Sequence, residues 1–479
     1  MREICISEVI AGLFLLLALL RPLVLRLRHL DGLIWLPALA LLIMAAIVPA
    51  YGFRPEALPL GIFAAVATLV SIPAMKDSAS GLRRFSEGKR RLLAAPACLI
   101  LGACVWLALV FSPPEEALER VPPDLAQTVL QPPPPGQNGL TKELYVRFYA
   151  APKEDAPPLL LLIPPAFGGA EDIEPLCRAL ARRGFGVLTW ACKGVDSPAV
   201  DSRGVRSGIS LGEKFRRLRL ALRSRSASLD AHYDALVEER ASELRFLLSR
   251  LVETRSFLSN VRASRDAIFL AGCAEGGAAL FNLAGEKTFV QNYAEVKGII
   301  AIESPPRPRG QAERAYPAEA APEAAAWYLR AWITVKNVFT GTKKTEIPVK
   351  PEPAPPGCPC LALVSDRAAA PEPLNAPYAG LFTLLSASSK PALLAAAEGA
   401  GAFDYTGITM LYPLYQAIFP GWGTAGSASR YVETAAALAA DFASVQLDGL
   451  MEWDPASRVP PPRRGGIEGN VHIERWSGE

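Results

Sequence analysis

The stretch Ala267-Ile268-Phe269-Leu270-Ala271-Gly272-Cys273-Ala274-Glu275-Gly276-Gly277-Ala278-Ala279 decides the fold of the C-terminal part of this chain. The apolar run at 267–271 predicts a strand that is buried on both faces, and the small residues after Gly276 predict a helix. Gly272 and Gly276 bracket the turn between them, which lets the strand and the helix approach closely. The segment therefore predicts a strand, a tight turn centred on Ala274, and a helix.

Strand-like and helix-like segments alternate on both sides of this turn. Short apolar runs predict further strands at 144–149, 159–163, 187–190, 296–302 and 361–364, the first of them an edge strand. Helical patterns occur at 171–183 and 241–258. Repeated strand–helix–strand units predict an α/β fold in which helices cover both faces of a doubly wound, mostly parallel sheet.

The turn and its surroundings resemble the α/β-hydrolase superfamily, in particular its dienelactone-hydrolase and platelet-activating-factor-acetylhydrolase branches. In that superfamily the turn is written G-x-S-x-G and presents a reactive serine. Here Gly272 and Gly276 match, and Ala274 stands in the serine position. Three other segments fit in the family's order: 159–169 as half of the oxyanion hole, 364–366 as the acid position, and 399–405 as the histidine loop. The resemblance extends over roughly residues 140–445 and implies an α/β-hydrolase domain at 140–450.

The resemblance maps the catalytic serine onto Ala274, the acid onto Asp366 and the histidine onto Ala402. Alanine has no heteroatom, so both the nucleophile and the base are missing, and loss of either one from a serine protease costs about a millionfold in rate. We therefore expect a degenerate triad and a non-catalytic homologue, a pseudohydrolase, without a cofactor.

The oxyanion side of the pocket does not depend on those side chains. Backbone N–H groups around Phe167, Gly168, Glu275 and Gly276 are expected to bind a carboxylate or an ester, such as a lipid or a small acyl ligand. The alternative is that Phe167 and its neighbours fill this pocket.

A second interpretation keeps catalysis. Cys273 is a candidate displaced nucleophile for a carboxylic-ester or lipid hydrolase, with His232 or His472 as the base. Against it, Cys273 precedes the apex of the turn, where the side chain points in another direction. Glu275 and Asp404 are interpreted as supporting or surface groups, the alternative being a pair of catalytic carboxylates.

The first 112 residues contain four apolar stretches, at 4–25, 33–51, 57–75 and 92–111. Most approach the length of about 20 residues that spans a bilayer as helix. The first stretch contains Glu8 and Arg21, so the chain is expected to have three or four transmembrane helices. A basic loop at 76–91 is typical of the cytoplasmic side, which places the C-terminal domain on the extracytoplasmic side.

The remaining segments complete the expected domain organisation. Residues 113–139 form a proline-rich linker, 201–240 and 305–357 are insertions, and 451–479 is a poorly ordered tail. The basic insertion at 201–240 is either a membrane-surface helix or a solvated cap. A formal net charge of +3 gives no indication of nucleic-acid binding. The expected partners are the lipid bilayer, a lipid or small acyl ligand, and a protein. The cysteine spacing is not typical of a disulfide scaffold, and no metal site is expected.

Overall fold

The chain divides into two compact units, an N-terminal one at Met1–Leu118 and a larger one that begins at Glu119. The computed structural model describes residues 3–24, 27, 30–51, 57–79, 87–110, 125–130, 143–151, 156–165, 169–170, 172–192, 196, 199–200, 206–207, 216–217, 227–253, 263–305, 354–365, 380–397, 400–401, 404–411, 425–448 and 471–476.

The N-terminal unit is helical, and its helices coincide with the four apolar stretches. They are α1 Glu3–Leu20, α2 Leu36–Tyr51, α3 Leu58–Ala79 and α4 Glu87–Val110, with a 3-10 turn at Asp31–Trp35. Small side chains such as Ala11, Ala40 and Ala64 fill the interior, which lets the helices pack closely. Within the described residues, the segment Leu58–Lys76 is long and apolar enough to cross a membrane, and three shorter apolar helical segments accompany it.

The larger unit is built on a nine-stranded sheet. Its strands are β1 Leu125–Leu130, β2 Leu144–Tyr149, β3 Pro158–Ile163, β4 Gly186–Cys192, β7 Ser264–Cys273, β8 Val296–Ile302, β9 Cys360–Ser365, β10 Ala392–Ala397 and β11 Val471–Trp476. Two short strands, β5 Ala199–Val200 and β6 Arg206–Ser207, form a separate two-stranded sheet. The order is β1-β2-β4-β3-β7-β8-β9-β10-β11. Strands β4 to β10 in this order run parallel, while β1, β2 and β11 join by antiparallel pairing.

Helices cover both faces of this sheet. They are α5 Glu174–Arg182, α6 Ala227–Glu253, α7 Glu275–Ala284, α8 Lys287–Asn292, α9 Leu381–Ser386, α10 Ile408–Leu411 and α11 Ala425–Asp448. One buried cluster joins α6, α7, α8 and α9 to one face, and a second joins α5 and α11 to the other. Side chains that alternate along a strand enter the two clusters in turn, because successive residues point to opposite faces. The predicted α/β fold, in which helices cover both faces of a mostly parallel sheet, is confirmed.

The edges of the sheet differ from the sequence expectation. Leu125–Leu130 lies within the predicted linker, yet it pairs along β2, so β2 is not an edge strand. Val471–Trp476 lies within the predicted poorly ordered tail and pairs along β10. In both places an added strand covers backbone groups that an edge strand would leave unpaired. The helix expected at 241–258 begins earlier, at Ala227, inside the predicted insertion.

Candidate functional site

The predicted turn is present as a one-residue connection between β7 and α7. Strand β7 ends at Cys273, α7 begins at Glu275, and Ala274 between them has φ 50° and ψ −115°. A positive φ is rare for a residue with a Cβ and costs on the order of 1–3 kcal/mol. The Ala274 N–H donates to the Ile302 carbonyl at 2.9 Å, which ties the apex of the turn to the end of β8. The geometry is that of a nucleophile elbow, with a methyl group at its apex.

Three glycines let the elbow close. A Cβ on Gly272 would lie 2.5 Å from the Gly276 carbonyl carbon, and one on Gly276 would lie 2.8 Å from Ile163 Cγ2. A Cβ on Gly277 would lie 1.7 Å from Ser304 Oγ. Gly272 and Gly276 were identified from the sequence motif, and their role in close strand–helix approach is the predicted one.

Cys273 is fully buried and belongs to the apolar cluster between the sheet, α5 and α11. Burial raises the pKa of its thiol well above the usual value, and the charges of Glu275 and Glu303 raise it further. The thiol therefore stays protonated at neutral pH, and the nucleophilic thiolate is not populated. Ala274, by contrast, is partly exposed.

The remaining predicted site residues are only partly covered by the structure. Asp366, Ala402, Phe167 and Gly168 lie outside the described residues. Glu275 and Gly276 are buried in the first turn of α7, directly after the elbow.

Glu303 is a buried carboxylate at this end of the sheet that the sequence analysis missed. It follows β8 directly, has φ 49° and is 3% exposed. Its Oε1 accepts a hydrogen bond from the Ser365 N–H at the end of β9, and its own N–H donates to the Leu363 carbonyl at 2.8 Å. The signal was available, because a carboxylate directly after a buried strand was the pattern used for Asp366.

The loop after β10 is held by buried polar groups. Asp404, expected to be a supporting or surface group, is fully buried and accepts the Gly401 N–H at 2.8 Å. The Tyr405 hydroxyl donates to the Val364 carbonyl at 2.8 Å, next to the end of β9. Burial, followed by the charge of Glu303, raises the pKa of Tyr405 well above its usual value, so the hydroxyl remains a donor. This loop is therefore docked on the carboxyl end of the sheet.

The two candidate histidine bases lie on other elements. His232 is on α6, and His472 is on the edge strand β11 opposite Ala396. In the strand order, β8, β9 and β10 separate β11 from the elbow strand β7. In the basic insertion, Arg217 is 3% exposed and lies 3.6 Å from Asp196, so this residue is not part of a solvated face.

Comparison with known proteins gives a partial family match and remote structural likenesses. The family model TP_0976_N, described as an N-terminal domain, matches residues 2–111. No curated protein sequence matches the chain.

Three solved structures illustrate the structural likenesses. A ferulic acid esterase from Streptomyces cinnamoneus is 17% identical with a TM-score of 0.42, over 72% of this chain and 95% of that one. The carboxylesterase EstE1, cloned from a metagenomic library, is 14% identical with a TM-score of 0.35, over 67% of this chain and 92% of that one. Esterase B from Lactobacillus Rhamnosis is 14% identical with a TM-score of 0.34, over 70% and 90%.

Proposed function

We propose that this protein is a membrane-anchored pseudohydrolase: an extracytoplasmic α/β-hydrolase-fold domain that binds a lipid or small acyl ligand, or a protein, without turning it over. The observation that carries the proposal is Ala274 at φ 50°. An elbow stores backbone strain in order to present a reactive side chain, and here the strained turn presents only a methyl group. The shape of the site is kept while its nucleophile is absent.

The state of Cys273 favours this proposal over the displaced-nucleophile hydrolase. A thiol nucleophile needs access to substrate and a depressed pKa, usually from a neighbouring cation. Cys273 is fully buried, and the charges that act on its thiol belong to two acidic residues, Glu275 and Glu303. Cys273 therefore has neither the access to substrate nor the depressed pKa that a thiol nucleophile needs.

The membrane anchor in this proposal rests on the N-terminal helices. Leu58–Lys76 has the length and composition of a membrane span, and the accompanying helices coincide with the other apolar stretches. Sidedness is inferred from the basic residues around 76–91.

Activity and active-site labelling of the full chain in detergent test the catalytic part. The wild type should neither hydrolyse short acyl nitrophenyl esters nor react with a fluorophosphonate probe, and Cys273→Ala should leave both readouts unchanged. Ala274→Ser places a hydroxyl at the apex and serves as the comparison for probe access. Turnover by the wild type that Cys273→Ala abolishes would establish the hydrolase interpretation instead.

Ligand binding is tested separately by thermal unfolding with a fatty-acid series. A ligand that binds only the folded state raises the unfolding temperature according to its concentration over Kd. Ala274→Phe places a large side chain at the apex and should remove the shift. If no acyl compound shifts the wild type, the acyl-ligand proposal is wrong and the protein-partner form remains to be tested by cross-linking.

A further inference from the structure

A second cluster of reactive side chains lies away from the elbow, between the end of β4 and α6. Cys192 is the last residue of β4, and Glu239 and Glu243 are one helical turn apart on α6. The Cys192 Sγ and one carboxylate oxygen from each glutamate all lie within 4.8 Å of one another. Cys192 and Glu243 are fully buried, and Glu239 is half-buried.

The Glu243 carboxylate is held from one side only. Its Oε2 accepts hydrogen bonds from Trp190 Nε1 at 2.8 Å and from an Arg240 guanidinium nitrogen at 2.9 Å. Its Oε1 is buried and has no hydrogen-bond partner among the described residues. A buried acceptor without a partner is unfavourable, because it has lost its hydrogen bonds to water, so this arrangement favours a ligand on that oxygen.

The charges around the cluster point to a cation. Asp196 pairs with the guanidinium groups of Arg217 and Arg240, and Glu243 pairs with Arg240. The charge of Glu239 acts on Cys192. Burial opposes the charge on Arg240, but Asp196 and Glu243 raise its pKa well above the usual value, so it stays charged. An ion bound beside Cys192 would lie next to the Glu239 and Glu243 carboxylates, and a carboxylate oxygen is a ligand for a cation.

We propose that Cys192, Glu239 and Glu243 bind a divalent transition-metal ion, with Zn²⁺ the best match. A thiolate with two carboxylate oxygens is a donor set that Zn²⁺ accepts, whereas Mg²⁺ and Ca²⁺ select oxygen donors alone. Trp190 and Arg240 both donate to Glu243 Oε2 and so orient the carboxylate, as hydrogen-bonding groups around metal ligands do. The ion would fasten α6 to the end of β4.

Coordination at this site requires loss of a proton. Burial raises the pKa of the Cys192 thiol well above its usual value, and Glu243 and Asp196 raise it further. Because a cysteine binds a metal as its thiolate, metal binding here would release a proton from Cys192.

The test is metal binding by the full chain in detergent. Chelator-treated protein is titrated with Zn²⁺ and with Co²⁺, the bound metal is counted by mass spectrometry, and the Co²⁺ complex is followed by its thiolate-to-cobalt absorption band. We expect one equivalent per chain and a band that Cys192→Ser abolishes. Cys177→Ser is the matched control, because Cys177 is equally buried but lies in α5 on the other face of the sheet.

Two further variants separate metal binding from a folding defect. Glu239→Gln, at the half-buried position, should keep the folded structure and weaken Zn²⁺ binding more than about tenfold. Trp190→Phe keeps the ring volume and removes the donor to Glu243, so it should weaken binding by about tenfold as well. Absence of stoichiometric metal in the wild type, or a cobalt band that persists in Cys192→Ser, would overturn the proposal.

Discussion

Replacing Ala274 with glycine should stabilise the larger unit, although glycine usually destabilises. Ala274 has φ 50° and ψ −115°, a conformation that costs a residue with a Cβ on the order of 1–3 kcal/mol. Glycine removes most of this strain but adds about 0.5–1 kcal/mol of conformational entropy to the unfolded chain. The expected net gain is about 1 kcal/mol, or a rise in unfolding temperature of about 2–4 °C for a domain of this size.

The matched control for this prediction is Ala278→Gly. Ala278 lies inside α7, is 2% exposed and, unlike Ala274, does not have a positive φ. The same chemical change there should lower stability by about 1 kcal/mol. Thermal and urea unfolding of the full chain in detergent, followed by fluorescence, should therefore show shifts of opposite sign. If Ala274→Gly destabilises as much as Ala278→Gly, the strained elbow and the argument built on it are wrong.

Three other predictions concern packing, charge and pH. Gly277→Ala should lower the free energy of unfolding by about 1–3 kcal/mol or more, because the new Cβ would lie 1.7 Å from Ser304 Oγ. The double variant Gly277→Ala/Ser304→Gly removes that clash and should recover part of the loss in urea unfolding. Arg240→Met should cost about 3–5 kcal/mol, because it removes the buried guanidinium that pairs with both Asp196 and Glu243. Arg182→Met, at an exposed ion pair, should cost at most about 1 kcal/mol, and equal losses would contradict the buried network. Burial raises the pKa of Cys358 from 9.0 to about 12. The folded thiol holds its proton where the unfolded one loses it, so this contribution to stability is complete below pH 9.0 and is lost as the pH rises towards 12. Cys358→Ala should flatten the alkaline fall in the free energy of unfolding, and an unchanged slope would count against a buried, protonated thiol.

Much of the fold could be predicted from local patterns. The apolar run that becomes β7, the glycines on either side of Ala274 and the small residues of α7 are contiguous, so their periodicity and turn chemistry are visible in the sequence. Strands β3, β4, β8 and β9 were predicted for the same reason, because a continuous apolar run of this length is typical of a strand covered on both faces. Strand β10 was not predicted.

The edges of the sheet could not be predicted in this way. Strands β1 and β11 lie in segments whose proline content or position indicated a linker and a tail. Their structure depends on pairing with β2 and β10, and such pairing is a property of two segments together. A prediction from the composition of one segment contains no information about the strand that pairs with it.

The sequence by itself determined that this chain has a mostly parallel α/β sheet and an elbow with alanine at its apex, because both follow from contiguous residues. Only the tertiary structure decided that Cys273 is fully buried in the core, and that Glu303, after β8, accepts a hydrogen bond from the end of the neighbouring strand β9. It also brought Cys192 next to Glu243, across 51 positions of sequence. Burial and proximity depend on how a helix packs against a sheet, and that packing sums contacts from the whole domain rather than from any one segment.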